Sequence, residues 1–287
     1  MHEPALLIDG LDFGEGPRWH DGRLWYSDFH QHRVYAVDSN GNREVMVEMG
    51  EERPSGLGWL PDGDLLVVAM QARQVWRVAD GQISLHADLA GIATWHCNDM
   101  VVGADGTAYV GNFGFDIEND RSNPVPASLA IVHPDGAAIA GPTKLDFPNG
   151  SVITPDGSTL IVGETFGSRM TAFPILEGGL LGSPRLWAAT PGIHPDGCSF
   201  DEAGGIWVAD AGSGDVVRIV EGGEITDRIP MPDLGQPQKA YACMLGGDDG
   251  RVLHCITAPG AREVDTVGVG GGAIWTVRAE HPRAGRP

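Results

Sequence analysis

Residues 149–164 have the sequence NGSVITPDGSTLIVGE, which is an apolar strand, a Pro-Asp-Gly turn and a second apolar strand that ends on a polar residue. Variants of this unit recur along the whole chain. The six copies occupy residues 15–28, 55–70, 98–112, 149–164, 196–210 and 241–257. Asp-Gly-type turns are typical of β-hairpins, because glycine adopts positive φ without steric cost. The repeated unit is therefore a two-stranded hairpin.

The spacing of the turns indicates how the hairpins are arranged. The turn glycines are 41 to 51 residues apart and are Gly22, Gly63, Gly106, Gly157, Gly204 and Gly250. A third strand-like segment follows each unit and a fourth follows five of them, while no stretch shows sustained helical periodicity. Repeats of this length match propeller blades. We predict an all-β, six-bladed β-propeller of four-stranded antiparallel blades; the alternative is a large β-sandwich with coincidental turns.

The two ends of the chain are predicted to meet in one blade. After the last third strand, AIWTVR, the chain continues as a short polar tail and supplies no fourth strand. The sequence ALLID at residues 5–9 resembles the fourth strands of the other units. We therefore expect the N-terminal strand to complete the last blade, in a single propeller domain over residues 1–287 with a short C-terminal tail at about 280–287.

Composition and charge narrow the possible partners. The 287-residue chain carries a formal net charge of −20, which disfavours nucleic acid and membrane surfaces as partners. No apolar run approaches the roughly 20 residues of a transmembrane helix, and the N-terminus lacks the pattern of a signal peptide. The four cysteines form no CxxC pair, which favours buried thiols in a reducing compartment. We expect a cytoplasmic protein that acts on a small molecule; its oligomeric state stays open.

The propeller fold predicts a cluster of side chains. The first strand of each blade lines the central channel, so equivalent first-strand residues point toward one another. These residues lie seven to nine positions before the turn glycines and are Glu15, Ser55, Asn98, Asn149, Asp196 and Tyr241. Four of the six carry a carboxylate or carboxamide oxygen.

Two carboxylates cannot lie close together in a dry channel without a cation, a proton or another partner. A set of carboxylate and amide oxygens suits Ca²⁺ or Mg²⁺, with Mn²⁺ as an alternative, and the lack of His and Cys argues against a dedicated zinc site. We predict one divalent cation in the channel. The alternatives are acids and amides that simply end strands, and an ion that only ties the blades together.

The rim of the channel is predicted to contact the substrate. Two residues before the channel positions stand four residues that carry or can acquire a positive charge: Arg53, His96, His194 and Lys239. They could attract a carboxylate-bearing substrate or simply balance local acids. The longest insertion, residues 113–126, follows the third unit at the same face, where long loops often act as lids. Asp116 and Arg121 of this loop are candidates to reach the substrate.

Several motifs, taken together, resemble those of a known family. They are EGPRW at Glu15, the CND segment followed by GADGTAYVGNFG, FPNG at Asn149, PDG at Asp196 followed by GGIWVADAG, and ACMLGG at Ala242. In this order and spacing they resemble the SMP-30/gluconolactonase/LRE (regucalcin-like) family, over nearly the whole chain. The resemblance implies a six-bladed propeller and a metal-dependent hydrolase that opens a small lactone, such as a sugar-acid lactone, to its hydroxy acid.

The resemblance also implies roles for individual residues. Glu15, Asn149 and Asp196 match the residues that hold one divalent cation, with Ca²⁺ favoured and Mg²⁺, Mn²⁺ or Zn²⁺ as alternatives. Asp196 matches the residue that also serves as general base, although activation of a water by the cation itself is equally open. Asn98 matches a residue beside metal and substrate, and Asp116 an acidic substrate contact.

One departure bears on the substrate. Two residues before Asn98, where sugar-lactonase members carry Arg, this chain has His96, so recognition of a polyhydroxylated sugar acid does not follow from the resemblance. Two other functions stay open. One is a phosphotriesterase-like hydrolase with the same metal site, and the other is a non-catalytic cation-binding propeller. The lactonase and both alternatives would use the same site, formed by the channel residues. Turnover of a lactone, of a phosphotriester or of neither distinguishes the three functions.

Overall fold

The computed structural model describes residues 3–287 and confirms the six-bladed β-propeller: six four-stranded antiparallel sheets surround one axis. The strands that line the axis in blades 1 to 6 are β2 (Gly14–His20), β6 (Pro54–Trp59), β10 (Cys97–Val102), β14 (Pro148–Ile153), β18 (Pro195–Phe200) and β22 (Lys239–Gly246). The second strands are β3 (Arg23–Asp28), β7 (Leu65–Ala69), β11 (Ala108–Asn112), β15 (Thr159–Glu164), β19 (Ile206–Asp210) and β23 (Val252–Ala258).

The outer half of each blade follows the same order. The third strands are β4 (Arg33–Val37), β8 (Gln74–Ala79), β12 (Ala127–Val132), β16 (Arg169–Pro174), β20 (Val216–Ile219) and β24 (Gly272–Arg278). The fourth strands are β5 (Arg43–Glu48), β9 (Gln82–Asp88), β13 (Ala138–Leu145), β17 (Arg185–Ala189), β21 (Ile225–Ile229) and β1 (Ala5–Leu11). Among residues 3–287, helical structure is limited to a 3₁₀ turn (Glu177–Gly179) and the one-turn α1 (Glu263–Thr266).

The hairpin turns and the closure of the ring agree with the prediction. All six turn glycines have positive φ, between 70° for Gly250 and 97° for Gly63. Strand β1 forms the outer edge of the last blade, whose order is β1-β24-β23-β22. Its register pairs Ala5 with Thr276 and Leu11 with Gly272. Residues from the two ends of the chain thus share one sheet, and backbone hydrogen bonds close the ring.

Burial falls from the axis outward. Strands β10, β14 and β18 are buried along their whole length, whereas β9 and β21 are mostly exposed. Apolar clusters lie between neighbouring blades, as where Trp207 of blade 5 packs with Trp275 of blade 6. All four cysteines are buried and free. In the part of the chain that the structure describes, no helix combines the length and apolar character needed to cross a membrane.

The C-terminal tail pairs with the inner strands at one end of the channel. Arg286 pairs with Ile153 at the end of β14, with N–O distances of 2.8 and 2.9 Å, and the amide of Ala284 donates to the carbonyl of Phe200 at the end of β18. These residues lie at the opposite end of the inner strands from the predicted cation ligands. The tail therefore lies at the far end of the channel, where Arg286 and Pro287 help to line a separate cavity of about 360 Å³.

Candidate active site

Each inner strand is interrupted at the level of the predicted site. In all six blades the pairing of the inner strand with the second strand shifts register near its first residues. The breaks fall between Glu15 and Arg18, Pro54 and Leu57, Cys97 and Met100, Pro148 and Ser151, Pro195 and Cys198, and Ala240 and Ala242. A β-bulge bends the strand and re-aims a side chain. The six bulges therefore mark the level at which side chains turn into the channel.

Glycines bring the inner strands close together at this level. In four blades the residue directly after the channel position is glycine: Gly16, Gly56, Gly150 and Gly197. A Cβ at Gly150 would lie 2.3 Å from the carbonyl oxygen of Asp196, and a Cβ at Gly197 would lie 2.6 Å from the Cβ of Ala242. Any larger residue would push neighbouring blades apart. The lack of a side chain at these glycines thus allows the channel residues beside them to lie close together.

The structure brings five of the six predicted channel residues together. Glu15, Asn98, Asn149, Asp196 and Tyr241 line one cavity of about 690 Å³ at the open end of the channel. Each of these five is less than a tenth exposed. The sixth residue of the level, in blade 2, does not line the cavity.

The orientation of Asn149 leaves one atom available. Its Nδ2 donates to Thr165 Oγ1 at 3.2 Å. Thr165 Oγ1 in turn donates to the carbonyl of Pro195 at 2.7 Å, so it can only accept from Asn149. The amide nitrogen therefore faces Thr165, and Oδ1 is the atom of Asn149 that can ligate a cation.

The two channel carboxyls carry an unfavourable charge. Burial raises the pKa of Glu15 well above its usual range, and the neighbouring Asp196 and Asp99 raise it further. Burial likewise raises the pKa of Asp196, with Asp99 as the next cause. Removal of water and like charges both disfavour ionised carboxylates. A cation between the two carboxylates would relieve both costs.

Arg18 and Asp99 lie below the level of the predicted cation ligands, and the comparison of the six repeats did not identify them. Asp99 occupies the position where four other blades have glycine, and its Oδ1 lies 2.7 Å from Nη2 of Arg18. Arg18 also donates Nε to Leu57 O at 2.9 Å and Nη1 to Pro17 O at 2.7 Å, and it contacts Met100 O. Each of the three guanidinium nitrogens thus has an acceptor. The signal in the sequence was an Arg and an Asp inside otherwise apolar or glycine-rich inner strands.

The donor set fits a hard divalent cation. Arg18 is committed to Asp99 and to backbone carbonyls, so it does not pair with Glu15 or Asp196 within salt-bridge distance. The available donors are two carboxylates and an amide oxygen, which are the ligands that Ca²⁺ and Mg²⁺ prefer. Within residues 3–287 no group of three or more His, Cys, Asp and Glu side chains is arranged to hold a metal. The fit therefore depends on the amide as third ligand, as the sequence predicts.

Acids at the ends of the second strands position the segments that enter the channel. Asp28 Oδ1 accepts from the amide of Phe13 at 3.2 Å, and Asp210 Oδ1 accepts from the amide of His194 at 2.9 Å. Each of these amides lies two residues before a predicted cation ligand. Glu164 holds the corresponding segment of blade 4 by a 2.7 Å bond. All three acids are fully buried, so the backbone leading to each ligand is held rigidly.

Arg53 links two loops over the mouth of the cavity. Its Nη1 lies 3.2 Å from Oε1 of Glu118, in the loop of residues 113–126, and its Nη2 contacts Glu263 at the start of α1. The side chain of Arg53 is largely buried between these partners. Its positive charge is thus matched by two carboxylates, and its predicted contact with an anionic substrate stays a prediction.

Two further candidates at the rim, His96 and Asp116, are placed differently. His96 lines the cavity and stacks on Trp95 at 5.0 Å, and burial lowers its pKa, which favours the neutral ring. Asp116 uses its carboxylate within its own loop, where it accepts from the amides of Glu118 and Asn119 at 3.1 Å. Asp116 thus shapes the loop, and its role as a substrate contact stays a prediction. Arg121 of the same loop lines the cavity.

The raised pKa of Glu15 gives a pH-dependent stability. In cation-free protein the folded state binds a proton at Glu15 more tightly than the unfolded chain does, so this contribution is complete at low pH and is lost as pH rises through the raised pKa. Glu15→Gln lacks this loss. We expect the variant to gain stability over wild type as pH rises from 5 to 8, by at most about 1.4 kcal/mol per pH unit.

Urea unfolding in the presence of a chelator, at pH 5, 6, 7 and 8, measures this difference. The matched control is Glu224→Gln, which removes an exposed carboxylate that has no side-chain partner among the described residues. Its difference from wild type should stay constant. If the advantage of Glu15→Gln shrinks with rising pH, the charge of Glu15 is not a cost to the folded protein.

Comparison with known proteins places the chain in a family. The sequence model of the SMP-30/Gluconolactonase/LRE-like region matches residues 13–259. The pentonolactonase XacC of Haloferax volcanii is 29% identical over 287 residues, with 96% of this chain and 92% of that protein covered. The structure of XC5397, a gluconolactonase from Xanthomonas campestris, superposes with a TM-score of 0.75 at 25% identity, covering 97% of this chain and 88% of that one.

A third similar protein shares the fold. The calcium-binding regucalcin of Agrobacterium tumefaciens has a TM-score of 0.79 at 21% identity, covering 99% of this chain and 96% of that chain. The match to the family's sequence model, over residues 13–259, spans most of the repeats, and this range contains all three predicted cation ligands. The chain belongs to the SMP-30/gluconolactonase/LRE-like family.

Proposed function

We propose that this protein is a divalent-metal-dependent lactonase. The observation that carries the proposal is the pair of buried carboxylates, Glu15 and Asp196, on one cavity, with no arginine or lysine among residues 3–287 paired to either. Such a pair is costly when both members are ionised, and a cation bound between them would offset this cost. Similarity to a pentonolactonase and to a gluconolactonase supports the choice of lactones as substrates.

The ligands are Glu15, Asp196 and Oδ1 of Asn149. This oxygen set favours Ca²⁺, and Mg²⁺ or Mn²⁺ would also accept it. When bound, the cation supplies positive charge that polarises the ester carbonyl of a lactone. The buried acids behind the ligand segments, Asp28 and Asp210, keep the ligands in place without entering the site.

We assign the remaining steps to the side chains on the cavity. Asp196 accepts a proton from the attacking water, because its carboxylate lines the cavity in which the water and the lactone would meet. Asn98 lines the cavity, and its side-chain amide makes no hydrogen bond within residues 3–287. This side chain is therefore free to orient the lactone ring. The oxygen of water bonds to the acyl carbon, the bond from that carbon to the ring oxygen breaks, and the ring oxygen takes the proton that Asp196 accepted. The product is a hydroxy acid, which releases one proton at neutral pH.

The experiment measures this proton release. Protein stripped with a chelator is reloaded with Ca²⁺, Mg²⁺, Mn²⁺ or Zn²⁺ and assayed by pH drop on sugar, alkyl and aromatic lactones. An organophosphate triester is assayed in parallel. We expect lactone hydrolysis to fall at least about 100-fold on stripping and to return with one of these metals. Absence of lactone hydrolysis by metal-loaded protein overturns the proposal, and hydrolysis of the triester alone identifies a phosphotriesterase.

A further inference from the structure

The cavity above the cation ligands is larger than a lactone ring requires. Its volume of about 690 Å³ falls within the range of pockets that enclose drug-sized ligands, roughly 300 to 1,000 Å³. A five- or six-membered lactone would fill a small part of it. The side chains that line the rest of the cavity therefore indicate which kind of substituent the lactone carries.

Aromatic side chains form much of this wall. Those that line the cavity are Phe13, Phe29, Phe113, Phe147, Phe166 and Tyr241. They form two groups. Phe113 stacks on Phe147 at 4.9 Å with an interplanar angle of 12°, and Phe147 contacts Phe166 at 4.8 Å. On the other side Phe13 lies 4.8 Å from Tyr241 and 5.3 Å from Phe29.

Apolar surface also remains open at the mouth. The Phe166 side chain is 42% exposed and Val264 of α1 is 79% exposed, and both border the same cavity. Adjoining apolar surface beside a concave site commonly marks where a ligand is bound.

Two of the cationic groups on the cavity that could recognise an anionic substrate are engaged. Arg53 is paired with Glu118 and Glu263, and Lys239 Nζ donates to the carbonyl of Gly212 at 3.2 Å. A polyhydroxylated ring needs a hydrogen-bond partner for each buried hydroxyl, because an unpaired one is costly. Polar side chains such as those of His194 and Arg121 line other parts of the cavity, whereas the two aromatic groups offer no such partner except the hydroxyl of Tyr241.

We propose that the substrate is a lactone with an alkyl or aryl substituent, which packs between the Phe113–Phe147–Phe166 group and the Phe13–Tyr241 group. The inference rests on the proposed lactonase function and names the substrate class of that site. It departs from the sugar lactones named for the pentonolactonase and the gluconolactonase above.

The test compares three lactones with the same ring size on metal-loaded protein: δ-valerolactone, δ-decalactone and δ-gluconolactone. The alkyl chain of δ-decalactone should raise kcat/KM at least about tenfold over δ-valerolactone, since burial of two or three methylenes supplies that factor. δ-Gluconolactone should be the poorest substrate of the three. Phe166→Ala, at a partly exposed position that keeps the fold, should lower the ratio of δ-decalactone to δ-valerolactone by about fivefold or more.

The matched control is Leu186→Ala on the outer strand β17, which removes an exposed apolar side chain far from the cavity. It should leave the ratio unchanged. Preference for δ-gluconolactone, or equal rates on the two other lactones, overturns this inference and leaves the lactonase function intact. Failure to hydrolyse any of the three overturns both.

Discussion

Asp196→Asn is expected to lower lactone turnover by at least about 10³-fold, because a positioned base alone contributes roughly 10² to 10⁴ and this residue is also a proposed cation ligand. The substitution keeps the size of the side chain and its position on the bulge of β18. It removes a charge that burial disfavours. The cation-free variant should therefore be at least as stable as wild type, so loss of activity cannot be attributed to unfolding.

Turnover, metal content and thermal stability of the purified variant check this expectation. Asp249→Asn is the matched control: it removes the same charge from an exposed turn of blade 6, where Asp249 pairs with Arg278. The control should keep full turnover and one equivalent of metal. If Asp196→Asn keeps both as well, Asp196 is neither ligand nor base.

Arg18→Met is expected to destabilise the fold by about 3 to 5 kcal/mol, because it leaves Asp99 buried and uncompensated. Asp99 already raises the pKa of both Glu15 and Asp196, so its unpaired charge would repel these two carboxylates more strongly. The substitution also removes donors from backbone carbonyls. Chemical denaturation in the presence of a chelator measures the loss.

A second variant separates the charge from the packing. Arg18→Met combined with Asp99→Asn no longer buries an unpaired carboxylate, and it should recover more than half of the loss. Arg185→Met breaks an exposed pair with Glu221 and should cost at most about 1 kcal/mol. A loss in Arg18→Met no larger than in Arg185→Met would mean that water reaches Asp99.

The sequence predicted the fold and the position of the site because both follow from repetition. Six equivalent hairpins imply equivalent inner strands, and equivalent positions converge on one axis. The same reasoning placed residues 5–9 in the last blade, where β1 pairs with β24. Five of the six channel positions line one cavity, as predicted.

Features that break the repeat could not be predicted in this way. Asp99 replaces a glycine, and its partner Arg18 lies 81 residues away, so only the folded chain reveals the pair. The pairing of Arg53 with Glu118 and Glu263 depends on the paths of two irregular loops, which no periodicity describes. The use of Asp116 within its own loop has the same origin.

The Arg18–Asp99 pair below the ligands has a kinetic consequence. The pair joins blades 1 and 3, and Arg18 lines the cavity of about 360 Å³ at the far end of the channel but not the cavity of the ligands, so it lies between the two. A cation bound for Glu15 must therefore enter through the same portal as the lactone, and a seated lactone would stand in its path. Loading would follow a compulsory order, ion first and substrate second, and a saturating competitive inhibitor would slow the escape of the ion to a chelator.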